Sequence, residues 1–195
     1  MTGTPEGVFV HPMALCDSET VGAGTRIWAF SHVLAGAVIG RDCNIGEGAF
    51  VEDQARLGDR VVIKNGVSVW NLVTLEDDVF AGPNVAFTND MIPRAGDYRT
   101  SPDDWQPTLV REAAALGANA TIVCGTVIGR HALVGAGSVV TKDVPDHAIV
   151  LGNPARVVGW ICNCGARLEG AGACPSCGRM FRADADGLHE TDQPA

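Results

Sequence analysis

The stretch TRIWAFSHVLAGAVIGRDCNIGEGAFV, residues 25–51, decides the fold, because an aliphatic side chain stands at every sixth position: Ile27, Val33, Ile39, Ile45 and Val51. Extended forward, the same frame meets Leu57, Ile63, Val69, Leu75, Ala81 and Phe87, stops near Thr88, and resumes from Val110 through Leu116, Ile122, Ile128 and Val134 to Val140. Four residues after each of these positions comes a small or β-branched side chain, as at Ser31, Ala37, Cys43, Ala49 and Val61. A period of six fits neither an amphipathic helix nor a simple alternating strand. It fits a stacked repeat in which each unit is one short strand and one corner. Three units close a triangular coil, coils pair at a strand spacing of about 4.8 Å, and the periodic residues stack inward as aliphatic ladders. An ordinary β-sandwich does not hold one register over so many units. Glycines directly after the ladder positions, such as Gly40, Gly46, Gly82, Gly117 and Gly135, suit corners that need backbone freedom or close approach.

Composition narrows the function classes. The 195 residues include 23 acidic and 14 basic ones, a net charge of -9 that argues against a general nucleic-acid surface. No apolar run approaches the roughly 20 residues a membrane span requires. The opening MTGTPEGVFVHP lacks the basic and apolar regions of a signal peptide, so the expected location is the cytoplasm.

Along the chain, residues 1–159 are expected to form the solenoid domain, with a polar entry over 1–14 and coils from Leu15. Residues 88–109 carry no repeat register, hold several prolines and charges, and must loop out. A long loop thrown from a regular solenoid is more often functional than accidental, since its ordering entropy has to be offset by what it does. Residues 160–182 form a separate cysteine-rich module, and the acidic segment 183–195 is expected to be an unstructured tail.

Residues 15–159 resemble the left-handed parallel β-helix acyltransferases, the hexapeptide-repeat family that uses acetyl-coenzyme A. The hand of the coil is taken from that resemblance, because the period alone does not fix it. Three stretches, RIWAFSHV (26–33), NGVSVWNLVTLEDDVFAGPNVAFTND (65–90) with Pro93-Arg94, and GANATIVCGTVIG (117–129), resemble the N-acetyltransferases of nucleotide-linked 3-amino sugars. Within that family the resemblance points to acetylation of UDP-2-acetamido-3-amino-2,3-dideoxy-glucuronate. The close rival is a dTDP-linked 3-amino-deoxyhexose, or a bulkier acyl donor. The resemblance also implies a homotrimer with active sites in the clefts between solenoids.

In such a reaction an amine attacks a thioester carbonyl directly, the oxyanion is held and one proton leaves. A sugar amine is partly neutral near pH 7, so no strong base is demanded, whereas a hydroxyl acceptor would need one. None of the histidines, His11, His32, His131, His147 and His189, falls in the loop or in the rung before it. The resemblance places Asn84 beside the sugar amine, where its carbonyl oxygen could orient the nucleophile. Against that role, asparagine at a solenoid corner is commonly structural. Asp90 could receive the proton or hold a hydroxyl, and Arg94 could grip a phosphate or carboxylate. Arg26, Trp28 and His32, with Phe30, would lie toward the nucleotide end. His32 stands nearly three coils, roughly 14 Å, from Asn84 and cannot serve the same atom within one subunit. Coenzyme A is expected along the later coils, at Gly117, Ala118 and Gly135, with Lys142 and Arg156 toward its phosphates. The Gly135 N–H could face the thioester. Trp105 and Tyr98 could cover the sugar or base, or simply anchor the loop.

The run CNCGARLEGAGACPSCGR places Cys162, Cys164, Cys174 and Cys177 as two close pairs, each followed by glycine. Zinc takes four thiolates in a tetrahedron, and glycine permits the tight knuckle turns. With all four positions consumed, such a zinc is structural. Two readings of other classes remain: a non-enzymatic scaffold carrying the ribbon, and a solenoid carbonic anhydrase. The second needs three histidines converging on one zinc between subunits, and the five here do not recur at coil spacing.

Overall fold

In the computed structural model, which describes residues 6–95, 105–184 and 187–191, the periodic residues do point inward. From Ile27 to Val140 every ladder side chain is at most 3% exposed. Burying each Ile, Leu or Val stabilises the fold by about 1.5–3 kcal/mol. The chain forms a left-handed β-solenoid of about seven turns, and no helix occurs among the described residues.

Strands of mostly two residues build three faces. Face one stacks Phe9–Val10, Arg26–Ile27, Asn44–Ile45, Val62–Ile63, Phe80–Ala81, Ala115–Leu116, Leu133–Val134 and Ala148–Gly152. Face two stacks Leu15–Cys16, His32–Val33, Phe50–Val51, Ser68–Val69, Ala86–Phe87, Thr121–Ile122 and Val139–Val140. Face three runs from Val38–Ile39 through Arg56–Leu57, Val73–Leu75 and Thr108–Val110 to Val127–Ile128. We call the edge from face one to face two the first corner, that from two to three the second, and that from three to one the third. Small polar residues at inner corner positions are satisfied by the next coil: Thr25 Oγ1 donates to the Gly40 carbonyl and Ser31 Oγ to that of Gly46.

The excursion leaves at the second corner. Thr88 still bonds to the Ile122 carbonyl, and the chain re-enters at Thr108, which pairs with Val73 so that the ladder frame is regained. Residues 96–104, including Tyr98, lie outside the described residues.

Two expectations are corrected. Winding begins before Leu15, since Phe9–Val10 pairs with Arg26–Ile27; its side chains are half exposed at the solenoid's open end, which hides the pattern. Part of the acidic tail is ordered: Gly187–Thr191 pairs antiparallel with Met180–Asp184. Leu188, its single large apolar residue, is buried with Phe181, Leu168, Cys162 and Cys174.

This second core sits against the last coil at the third corner. There His131 and His147 stack with ring centroids 4.9 Å apart, and Phe181 meets His147 edge-on at 5.0 Å. The Leu188 N–H donates to the Asp146 carbonyl, and His147 Nδ1 lies 2.8 Å from the Ile161 carbonyl oxygen. Burial pushes the imidazolium pKa of both His131 and His147 below the usual histidine value.

Candidate active site

Stacking fixes which expected site residues meet. Asn84 lies on the first corner with a left-handed backbone, φ 57°, a conformation asparagine tolerates better than most residues. Its N–H donates to the Asn65 carbonyl one coil below. Its side-chain amide is exposed, makes no hydrogen bond among the described residues, and lies over Gly66, where a Cβ would come 2.6 Å from Oδ1. The structural reason for asparagine is thus the backbone angle, and the amide is left available.

Gly117 and Ala118 stand on the same corner one coil above, and Gly135 two coils above. The Gly135 N–H is corrected as an oxyanion donor: it is committed to the Val150 carbonyl, and Leu151 packs over its Cα. The neighbouring corner position carries the open donor instead. Ala118 N–H has no partner among the described residues, and a Cβ on Gly82 below would lie 2.8 Å from that nitrogen. Gly46 stands in the same relation to the unengaged Asn65 N–H, at 2.8 Å. The glycines after ladder positions on this corner therefore serve close approach and keep the next coil's N–H uncovered. Left-handed angles instead recur at the third residue of most corners.

Three coils toward the N-terminus the same ridge carries exposed aromatics. Trp28 donates from Nε1 to Asn44 Oδ1 at 2.9 Å and leans on Phe9, ring centroids 5.5 Å apart, with Phe30 beside it. Arg26 flanks this platform on face one. His32 flanks it on face two, its Nε2 2.9 Å from Asp17 Oδ2.

Asp90 and Arg94 do not join Asn84 within one chain. They belong to the second corner, across the width of face two, because the excursion leaves there. They line a cavity of about 480 Å³ with Glu52, Trp70, Pro93 and Trp105. Asp90 Oδ1 accepts the Ile92 N–H, and Arg94 Nη1 donates to the Pro93 carbonyl. Trp70 is pinned by Nε1 to the Phe87 carbonyl, and Asn89 donates to Asn71 Oδ1, which fixes the loop's root. Lys142 lines a neighbouring cavity on this second corner, while Arg156 is exposed on the hairpin beyond the last coil. Glu52, Trp70 and the Ala118 N–H escaped the sequence reading.

The four cysteine sulfurs all lie within 4.8 Å of one another, with Cys162–Cys177 at 3.5 Å and Cys164–Cys174 at 3.7 Å. Tetrahedral zinc–thiolate bonds of about 2.3 Å place sulfurs roughly 3.8 Å apart, so the donor set fits that metal. The Cys177 thiol is lowered to about 6, chiefly by the Arg179 N–H, while burial raises Cys162 to about 12.

Comparison with known proteins agrees with this geometry. Residues 20–53 match a family model described as bacterial transferase hexapeptide (six repeats), and residues 112–142 match one described as hexapeptide repeat of succinyl-transferase. A dTDP-3-amino-3,6-dideoxy-alpha-D-galactopyranose 3-N-acetyltransferase from Aneurinibacillus thermoaerophilus is 44% identical over 191 residues, 96% of this chain and 97% of the relative. The chain belongs to the hexapeptide-repeat acetyltransferases. This acetyltransferase is also 32% identical over 159 residues to the bifunctional protein GlmU of Nitratidesulfovibrio vulgaris, covering 74% of the chain but 33% of that longer protein. Among solved structures, a hexapeptide-repeat acetyltransferase from Vibrio cholerae O1 biovar eltor, complexed with acetyl coenzyme A, superposes with a TM-score of 0.52 at 26% identity. The match covers 64% of this chain and 70% of that one.

Proposed function

We propose that this acetyltransferase moves the acetyl group of acetyl-CoA to the 3-amino group of a dTDP-linked 3-amino-3,6-dideoxyhexose. The observation that carries the reading is the first corner, which presents in one line an aromatic platform at Trp28, a free amide at Asn84 and an open N–H at Ala118. Three coils, about 14 Å, separate platform from amide. An extended nucleoside diphosphate covers that span between its base and the sugar on its second phosphate. The base stacks on Trp28, where base–aromatic contact stabilises by about 1–3 kcal/mol. Asn84 Oδ1 accepts a hydrogen from the amine and aims its lone pair. The Ala118 N–H holds the oxygen that becomes negative as the amine attacks the thioester carbonyl. The C–N bond forms, the C–S bond breaks, and the proton shed by the new amide leaves with the thiolate.

The uronate expected from sequence gives way to the deoxyhexose on two grounds. The extensive similarity to the Aneurinibacillus enzyme supports it. So does the loop cavity, where Trp70, Pro93 and Trp105 offer apolar surface to a 6-methyl group, and where the two carboxylates Glu52 and Asp90 outnumber the one guanidinium, Arg94, that could pair with a sugar carboxylate. In a homotrimer the loop cavity of one copy faces the first corner of its neighbour, which would bring Asp90 and Arg94 to the sugar held by Asn84. Coenzyme A then follows the first corner past Gly117, Ala118 and Gly135, with Lys142 and Arg156 at the cleft's rim for its phosphates. Zinc held by Cys162, Cys164, Cys174 and Cys177 cross-links the C-terminal module and takes no part in the chemistry.

The test is thiol release from acetyl-CoA with purified protein and a panel of dTDP- and UDP-linked 3-amino sugars. The dTDP-3-amino-3,6-dideoxyhexoses should exceed the UDP-uronate by at least about tenfold in kcat/KM, a barrier difference of about 1.4 kcal/mol. The reverse preference would overturn the sugar assignment, and no turnover with any amine would overturn the reading.

A further inference from the structure

The first corner carries one more chemical group between platform and amide. Lys64 stands in the column of Trp28, two coils above it and one coil below the Asn84 corner, since Asn44–Ile45 pairs with Val62–Ile63 and the latter with Phe80–Ala81. Its backbone N–H bonds to the Ala81 carbonyl, but its ammonium has no ion pair or hydrogen bond among the described residues. Arg26, Arg41, Arg56 and Lys142 likewise make no ion pair among the described residues, but none of them stands on the first corner. Arg60 is held by Asp77 and Asp78, and Arg130 by Glu76 and Glu112, all on the third corner. Lys64 is half-buried, as suits a lysine that packs its stem and keeps its charge in water. The column positions on either side are Gly46 and Gly82, which keep the ridge low there. Beside it stands the exposed residue Asn65, whose N–H has no partner among the described residues and which a side chain at Gly46 would crowd.

From this placement we infer that Lys64, with the Asn65 N–H, binds the diphosphate of the nucleotide-sugar acceptor. The inference rests on the acceptor reading proposed above. A cation and a backbone donor on adjacent residues form the pair that a phosphate oxygen cluster requires, and an ammonium serves it as a point charge. The position along the ridge is the second argument: with the base at Trp28 and the amine at Asn84, the diphosphate falls on the coil of Lys64. Glu47, the ridge's carboxylate, lies one coil nearer the platform, at the level of the pentose hydroxyl, where an acceptor and not a cation is wanted. Lys64 is thus a binding residue that separates nucleoside diphosphates from nucleosides.

Calorimetric titration of the full chain with dTDP and, separately, with thymidine tests this. Lys64→Ala should weaken dTDP by about tenfold or more, leave thymidine binding and the KM for acetyl-CoA unchanged, and flatten the salt dependence of dTDP binding. Lys64→Arg should recover most of the loss. A dTDP affinity within about twofold of wild type in Lys64→Ala, or an equal loss for thymidine, would overturn the inference while leaving the acceptor reading intact. Wild-type protein that binds neither dTDP nor UDP would overturn that reading and the inference with it. Lys64→Gln, with its melting temperature compared to wild type, provides the same measurement should Lys64→Ala misfold.

Discussion

Under the proposed mechanism, a structural and a chemical demand meet in Asn84. The left-handed corner angle already favours asparagine, and Asn119 occupies the equivalent position one coil above with the same φ of 57°. What distinguishes Asn84 is its surroundings: Gly66 makes room for its amide, and Pro83 before it has no N–H to compete for the amine's lone pair. Asn84→Ala should therefore lower kcat by roughly 10²-fold with a smaller rise in KM, since a misaimed nucleophile loses orientation more than binding. Steady-state kinetics on the purified variant check this, and an unchanged kcat would remove Asn84 from the mechanism. The substitution also replaces a residue that tolerates positive φ with one that does not, at a cost of about 1–2 kcal/mol. The variant's melting temperature should accordingly be reported beside its rate.

At the scale of a coil, two kinds of glycine do different work. Gly82 has an ordinary φ but backbone atoms of the next coil press on it, so Gly82→Ala sets a Cβ 2.8 Å from Ala118 N and Leu116 O. Backbone cannot yield as a side chain does, and the coils must part. We expect about 1–3 kcal/mol of destabilisation in urea unfolding. Acetyl transfer should fall with it, because the same Cβ covers the Ala118 N–H. Gly137 is the opposite case, with φ 69° and nothing within 4 Å of a Cβ. Gly137→Asn, which copies what Asn84 and Asn119 do at that corner position, should cost well under about 1 kcal/mol. Equal losses for the two variants would refute the distinction. This contrast also marks the limit of sequence reading. The six-residue ladder is local and survives unaided inspection, so the solenoid was legible from Ile27 to Val140. The site was half legible. The sequence offers candidate residue types without their arrangement: corners repeat every eighteen residues, and that longer period alone separates Asn84 on the first corner from Asp90 on the second. The same count would have placed Lys64 on the ridge with Trp28. The Ala118 N–H carries no sequence signal, because only packing shows which donors remain unengaged.

Over the whole molecule, the C-terminal module closes one end of a column whose coils otherwise contact only their neighbours. Its short strand Gly187–Thr191 went unforeseen because a single buried leucine is too little pattern to read against a run of acidic residues. The contact it makes is specific, however: Phe181 and Leu188 press on His147 and Asp146 of the last coil, and the cysteine cluster holds the module's own core. Two perturbations should then converge on the same boundary. The protein should carry about one zinc per chain. A strong chelator should release that zinc and lower the melting temperature, since a metal bound only by the folded state stabilises it. Acid acts on the solenoid side. Burial lowers the pKa of His131 and His147 in the folded protein, so the unfolded chain binds more protons once pH falls below the ordinary histidine value of about 6.5. The stability these rings contribute is complete above that pH and is lost as pH drops through their folded values, with a limiting slope of about 1.4 kcal/mol per pH unit for each extra proton. His131→Asn removes one of the two stacked rings and should make the fall between pH 7 and pH 5 shallower, with zinc content followed in parallel to separate protonated histidine from lost metal. A slope identical to wild type, at equal zinc content, would show that the stacked pair has no part in holding the cap.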